Sequence, residues 1–267
     1  MYLSKTIVFI TGAFVSHTCW DAWQNYYKTK GYTCIAPPWP FKNENTQELR
    51  NKRPNDTDLA GLRLRKIIEH YETIIASLPE KPIVIGHSLG GLIAQILVNK
   101  NLICAGIAIH SAPPKGIFSF EWPILKLIWK PLGYFTSTKK TYMMSLSHWK
   151  KAFANGIDVN EQIISYEKYA VPESKLAVRD SLGNVSKIDF FKLHPPLLFI
   201  TGSEDNLTPN SLNYENYIKY NKDNAITDYK EFKGKTHFSI ALPGWQDEAD
   251  YILSWLEILE HKIEISK

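Results

Sequence analysis

The stretch Val84-Ile85-Gly86-His87-Ser88-Leu89-Gly90-Gly91 constrains this chain more than any other. Pro82 to Ile85 reads as a short buried strand, and Leu89 to Val98 reads as a helix that is apolar almost all round. Between them, Gly-His-Ser-Leu-Gly matches G-x-S-x-G, a sharp strand-to-helix turn that holds its serine in a strained backbone conformation. Each glycine is required because a Cβ there would strike the neighbouring strand or helix. The pentapeptide alone turns up by chance in about one chain in ten of this size. The flanking strand and helix therefore carry the inference.

Strands and helices alternate on either side of that turn. Thr6 to Ile10 is a continuous apolar strand ending in Thr11-Gly12-Ala13-Phe14. A helix spans about Trp20 to Lys30, with Trp20, Trp23 and Tyr27 on one face and Gly31 just past its end. Tyr32 to Ala36 is the next strand, stopped by Pro37-Pro38-Trp39-Pro40, and a polar loop runs on to about Asp58. Leu59 to Leu78 repeats apolar residues at helical spacing, and Ile103 to Ile109 is a further strand. Near-continuous apolar strands alternating with helices signal a parallel sheet covered on both faces.

From Pro113 to about Lys192 that alternation breaks down into a stretch rich in aromatic residues, which reads as a mostly helical cap. Alternation resumes with a strand at Leu197 to Thr201, a helix after Pro209, a strand around Ile226 to Phe232 and a helix from Asp247 to Glu260. The last helix places Tyr251, Ile252, Trp255, Leu256, Ile258 and Leu259 on its inner face. The expected organisation is a core in two parts, 1–112 and 193–267, split by a cap insertion over 113–192.

The serine turn and its setting resemble the α/β-hydrolase family, of the serine esterase, lipase and lysophospholipase kind. The resemblance covers nearly all of the chain and is weakest in the middle third. It implies an α/β fold with a mostly parallel sheet of about six strands, helices on both faces and an inserted helical cap. It also implies Ser88 as the nucleophile, followed in chain order by an acid and a histidine in loops at strand C-terminal ends.

A serine hydroxyl is a poor nucleophile at neutral pH, so it needs a base, and the base needs an orienting acid. His237, in Gly234-Lys235-Thr236-His237-Phe238, follows the last strand and resembles the family's Gly-x-x-His loop. His148 falls in the cap, His194 at the wrong end of the sheet, and His261 on the solvent side of the last helix. His87 is structural. Asp205, in Gly202-Ser203-Glu204-Asp205, resembles the family's Gly-x-x-Asp loop, with Glu204 as the fallback. Thr208 directly before Pro209 suits the cap of the following helix better than Asp205 does, which leaves Asp205 free to orient the histidine. Position by position, the oxyanion donors become the backbone N–H groups of Leu89 and Ala13. Relatives usually have His-Gly before the latter, whereas this chain has Thr11-Gly12, so the imidazole that often braces the loop is lost.

These assignments imply cleavage of a carboxylic ester through an acyl-enzyme, with no cofactor and no metal. No His-x-x-x-His, cysteine cluster or phosphate-binding glycine loop is visible. The pocket is expected to be largely apolar, suited to an acyl chain or aromatic group and bordered by Phe14, Trp122, Met143, Trp149 and Phe238. His110, which ends a strand, either borders that pocket or makes one structural hydrogen bond. The segment Trp122 to Lys130 is apolar with two lysines and reads as a lid before it reads as a lipid contact. Two other classes use the same residues: a slowly turning ligand receptor, and a lyase or cofactor-free oxygenase that uses the triad as a base.

The net charge of +4 is small and the basic residues form no long block, which argues against nucleic acid as a partner. No apolar run approaches a membrane span. The partner expected is a small-molecule ester, with no stable membrane insertion and the oligomeric state open. Cys19, Cys34 and Cys104 show no C-x-x-C spacing, and the last two fall in predicted buried strands, which points to a reducing, cytoplasmic setting. Met1 to Gly12 reads as a strand and not as a signal peptide.

Overall fold

Three strands are buried at every position and carry the sheet: Ile83–His87, Ala105–Ile109 and Leu197–Gly202. Their continuous apolar sequences are what a strand covered on both faces requires. The computed structural model describes residues 3–118, 121–220 and 225–265. Positions 1–2, 119–120, 221–224 and 266–267 lie outside the described residues, so the outermost positions of the expected core segments and two positions of the expected cap fall there. In chain order the elements are β1 (Thr6–Ile10), α1 (Asp21–Thr29), β2 (Thr33–Ile35), α2 (Thr46–Lys52), α3 (Thr57–Gly61), α4 (Leu64–Ala76), β3 (Ile83–His87), α5 (Leu89–Asn99) and β4 (Ala105–Ile109). They continue with α6 (Trp122–Leu132), α7 (Leu146–Ala152), α8 (Val159–Tyr169), α9 (Lys175–Asp180), β5 (Leu197–Gly202), α10 (Asn210–Lys219), β6 (Thr227–Phe232) and α11 (Gln246–Ile265).

The six strands form one sheet in the order β2-β1-β3-β4-β5-β6, every pair parallel. Ile85 lies opposite Phe9 on one side and Ile107 on the other, so the central strands stack apolar side chains in register. The edge strands β2 and β6 are partly exposed, in keeping with their polar residues. Strand order reverses direction between β1 and β3, and the crevice beyond the carboxyl ends at such a point is where open α/β sheets bind ligands. Among the described residues, four helices, α6 to α9, lie between β4 and β5.

Helix α5 is buried from Leu89 to Val98, its one polar residue being satisfied. Gln95 donates to Ser111 Oγ (2.8 Å) and accepts from Asn216 and Tyr220. Four expectations need correction. The loop expected to run to about Asp58 holds α2, whose start is fixed by Asn45, the side chain of which accepts the Glu48 N–H (3.0 Å). The helix expected over residues 59–78 is broken at Leu62 and Arg63, where both residues are extended. There the Ser174 hydroxyl donates to the Leu62 carbonyl (2.7 Å), and Asp180 takes the Arg63 side chain and the Leu64 N–H. Those partners come from α9 and its cap, which no local spacing announces. The helix expected from Trp20 starts as a 3-10 turn at His17–Trp20, capped by Ser16, before α1 begins. In α11, Trp255, Leu256 and Leu259 are buried as expected, but Ile258 is 53% exposed because it lies beyond the edge of the buried stripe.

Candidate functional site

Ser88 joins β3 to α5 with φ 56° and ψ −117°, a conformation that a residue with a side chain adopts only when its surroundings impose it. Its N–H donates to the Ile109 carbonyl (2.9 Å), and its own carbonyl accepts from Ala112 (2.9 Å) and Leu92 (3.2 Å). A Cβ at Gly86 would collide with the Gly90 carbonyl, and one at Gly90 with the Ile10 carbonyl. The two glycines thus let α5 start against the backbone of β1, which holds the serine up at the rim of the sheet.

His237 comes from the loop after β6. Its Nε2 lies 3.0 Å from Ser88 Oγ, and its Nδ1 lies 2.9 Å from Asp205 Oδ2. The loop is tied down from two sides. His87 Nε2–H donates to the His237 carbonyl (2.6 Å), and Phe153 accepts the Phe238 N–H (2.9 Å) while its ring stands edge-on to the imidazole at 4.9 Å. Burial, then the neighbouring His237 and His110, hold the His87 pKa well below its ordinary value, so this ring is neutral and carries its proton on Nε2.

Asp205 is fully occupied. Oδ1 accepts the N–H groups of Leu207 and Thr208 (both 2.8 Å), while Oδ2 faces His237, His110 (2.9 Å) and the Thr208 hydroxyl (2.8 Å). Burial works against its charge, yet the two histidines hold the carboxyl far below the usual carboxylate range. The assignment of Thr208 as a helix cap is overturned: Pro209 occupies the N-cap of α10, and the Thr208 hydroxyl sits among Asp205, the His110 carbonyl (2.9 Å) and His237 Nδ1 (3.2 Å). Asp205 is therefore not free of the turn, and its two oxygens divide the tasks. Glu204 is exposed and bonds Ser203.

His110 directly follows β4 at φ 47° and lies behind the cavity wall, not on it. It is wedged between Asp205 and Glu248, both buried. Nδ1 donates to Asp205, and Nε2 donates to Ser239 Oγ (2.9 Å), whose own proton goes to Glu248 (2.8 Å). Both ring nitrogens thus donate. Burial opposes a charge here, but Asp205 and Glu248 outweigh it and push the pKa up to about 9. The result is a buried row in which the His110 cation lies between the carboxylates of Glu248 and Asp205, with His237 on the far side of Asp205 beside the serine. The facing atoms of His110, Asp205 and His237 lie within 4.8 Å of one another, a spacing a metal ion could use. A histidine that donates through both nitrogens has no lone pair left for a cation, so the cluster fits a hydrogen-bonded role.

Ala13 and Leu89 border the same cavity as Ser88, and among the described residues neither N–H meets a protein acceptor. The loop of Ala13 is braced by something the sequence did not reveal. Phe14, at φ 67°, donates its N–H to Glu173 Oε2 (3.2 Å), and its carbonyl accepts from Val171 (2.9 Å). Glu173 is in turn paired with Lys42 at 2.6 Å, both buried. The pair joins Glu173, from the segment after α8, to Lys42, from the segment before α2, so two remote parts of the chain brace the Ala13 loop.

The cavity over Ser88 holds about 370 Å³ and is walled by Phe14, Ile124, Ile128, Leu132, Leu182 and Leu212, among others. Of the anticipated pocket residues, Phe14 is on the wall. Trp122 is 66% exposed and off it, and Met143 yields its place to Met144. Trp149 and Phe238 are buried behind it, with Trp149 stacked at 4.5 Å on Phe153, which does reach the cavity. Phe153, Glu173, Lys42 and Glu248 gave no sequence signal, since each acts through a partner remote in the chain.

A model of the alpha/beta hydrolase family matches residues 7–245. No curated protein sequence matches the chain. Among solved structures, an extracellular alpha/beta-hydrolase from a Paenibacillus species superposes with a TM-score of 0.68 at 18% identity, over 93% of this chain and 98% of that one. A methylesterase from Arabidopsis gives 0.66 at 14% identity, over 95% and 99%. A monoacylglycerol lipase from Paleococcus ferrophilus gives 0.64 at 18% identity, over 96% of each chain. At these identities the superpositions speak for the fold alone. The family match spans most of the chain and agrees with the parallel sheet and the serine turn, so this protein belongs to the alpha/beta hydrolase family.

Proposed function

We propose that the protein is a serine hydrolase that cleaves carboxylic esters with an apolar acyl or aromatic part. The observation that carries this reading is the unbroken run Ser88 Oγ–His237–Asp205, at 3.0 Å and 2.9 Å, on the floor of an apolar cavity. His237 Nε2 takes the serine proton as Oγ attacks the ester carbonyl, and Asp205 keeps the ring oriented and offsets its charge. The N–H groups of Ala13 and Leu89 receive the oxyanion. His237 then returns the proton to the leaving alkoxide, and water, activated by the same base, releases the acid. The helical insertion acts as a cap whose α6 wall shapes the acyl site. Neither cofactor nor metal enters any of these steps.

Ester and lipase activities named for the structural neighbours support this chemistry for the fold. The test is labelling with a fluorophosphonate probe, combined with hydrolysis of p-nitrophenyl esters of graded chain length. We expect wild type to label and turn over, and Ser88→Ala to do neither. A Ser88→Ala protein that keeps its activity would defeat the assignment. Turnover of only a few cycles per hour on every ester would favour a receptor, and rapid chemistry without a trappable acyl-enzyme would favour a lyase.

A further inference from the structure

Positive charge and exposed apolar area concentrate on one part of the molecule. Residues 113–157 hold seven lysines and a single acid, Glu121, a balance of +6 in a chain whose total is +4. The rest of the protein is therefore net acidic. The lysines are scattered in sequence, but the fold gathers Lys126 and Lys130 of α6 with Lys151 of α7 around one surface depression of about 490 Å³. Ser145, Ser147, His148 and Asn206 supply further polar groups to its rim. Among the described residues, none of these three lysines is in an ion pair. The Lys126 ammonium instead lies 5.3 Å from the centre of the Trp122 ring.

Helix α6 separates two faces. At 3.6 residues per turn, Trp122, Lys126, Trp129 and Lys130 fall within an arc of about 100°. All four are exposed, the two tryptophans at 66% and 55%. Around the other side, Ile124, Ile128 and Leu132 line the cavity over Ser88, and Trp129, at the border of the two faces, is half exposed and also reaches that cavity. Beyond the helix end, Phe135 and the exposed part of Tyr134, which also reaches the mouth of the cavity, add to the outer face, their rings 5.8 and 6.4 Å from Trp129, and Phe135 is 87% exposed. So contiguous an aromatic patch is unfavourable against water alone and marks a contact surface. Tryptophan and tyrosine rings suit the headgroup level of a bilayer, and lysines beside them reach lipid phosphates.

We propose that the outer face of α6, with Tyr134 and Phe135, docks peripherally on a lipid bilayer rich in anionic headgroups. Among the described residues no helix is long and apolar enough to cross a membrane, so the contact is with the surface. Docking would set α6 between the bilayer and the cavity, one helix away from Ser88. That consequence rests on the proposed hydrolase, whereas the binding itself does not.

The test is flotation of the full chain with phosphatidylcholine vesicles, with and without phosphatidylserine. We expect partition onto the anionic vesicles, weakened by added salt as charges are screened. Lys126→Gln combined with Lys130→Gln should lower the partition about 25-fold, at about five-fold per lysine. Trp122→Ala should lower it several-fold by removing an inserted ring. Unchanged melting of these surface variants verifies their fold. Equal partition onto both vesicle types, absence of binding to either, or a double variant that binds like wild type would each overturn the proposal. So would binding that inorganic phosphate displaces and Trp122→Ala leaves intact, which would mark a soluble-anion site. Repeating the assay with Ser88→Ala keeps the two readings apart, since vesicle binding survives a failure of the esterase and hydrolysis of a soluble ester survives a failure of docking.

Discussion

Raising the pH from 6.5 to 8.5 should destabilise this protein through one buried side chain. His110 has its pKa pushed up to about 9 from an ordinary 6.5, because Asp205 and Glu248 flank it in a fully buried site. Over this window the folded protein keeps the His110 proton while the unfolded chain gives it up. The folded state binds about one proton more, so stability falls by about 1.4 kcal/mol per pH unit. The loss over two units is about 2–3 kcal/mol, a large part of a typical stability of about 5–15 kcal/mol. His87 has the opposite sign, since its pKa is depressed in the folded state, but its effect ends once the pH exceeds 6.5. The buried thiols of Cys19 and Cys34, pushed up to about 12 and about 11, add a loss of the same sign only as their unfolded counterparts ionise above about 8.5. Urea unfolding at half-unit intervals between these limits measures the slope. His110→Gln should flatten it. The same substitution should cost about 3–5 kcal/mol at pH 6.5, because two buried carboxylates lose their shared cation. A wild-type profile flat across the window, or an equal slope in His110→Gln, would refute the charged histidine.

Gly90→Ala would drive a Cβ into the carbonyl of Ile10 at the end of β1. We expect a stability loss of about 1–3 kcal/mol and an activity loss beyond ten-fold, read by thermal melting and ester hydrolysis. Glu173→Gln would leave the Lys42 ammonium buried without its counter-ion, at a cost of about 3–5 kcal/mol in urea unfolding. Because Glu173 also holds the Phe14 N–H, kcat should fall more than KM rises, and Lys42→Met with Glu173→Leu should recover stability without recovering kcat. Leu212→Trp fills the cavity wall over Ser88, so kcat/KM should shift towards shorter p-nitrophenyl esters. Unchanged chain-length preference would show that the acyl group lies elsewhere.

Much of the frame was legible because it is written locally. Alternating apolar strands and helices identified the parallel sheet, and the turn around Ser88 carried its own glycines. The loops of Asp205 and His237 follow β5 and β6, as chain order demanded. Aromatic residues in the insertion were legible as apolar but not as cavity or backing. Trp122 and Ile128 sit on opposite sides of one helix, and Trp149 is stacked behind Phe153. Composition and short spacing carry no such information, because the facing partner decides which side of each ring is covered.

The sheet, the serine turn and the loops that hold Asp205 and His237 were readable from local pattern. Their physical causes, strand burial and backbone clearance at glycine, act between near neighbours or through a repeating pattern. Only the tertiary structure decided that Lys42 and Glu173, separated by 131 positions, brace the Ala13 loop, and that His110 and Glu248, separated by 138, extend the row of charges behind Asp205. Those pairs exist because strand order and the segment between β4 and β5 carry remote residues into buried sites. There an unpaired charge costs far more than at the surface, so each group must find its partner in space, wherever it lies along the chain.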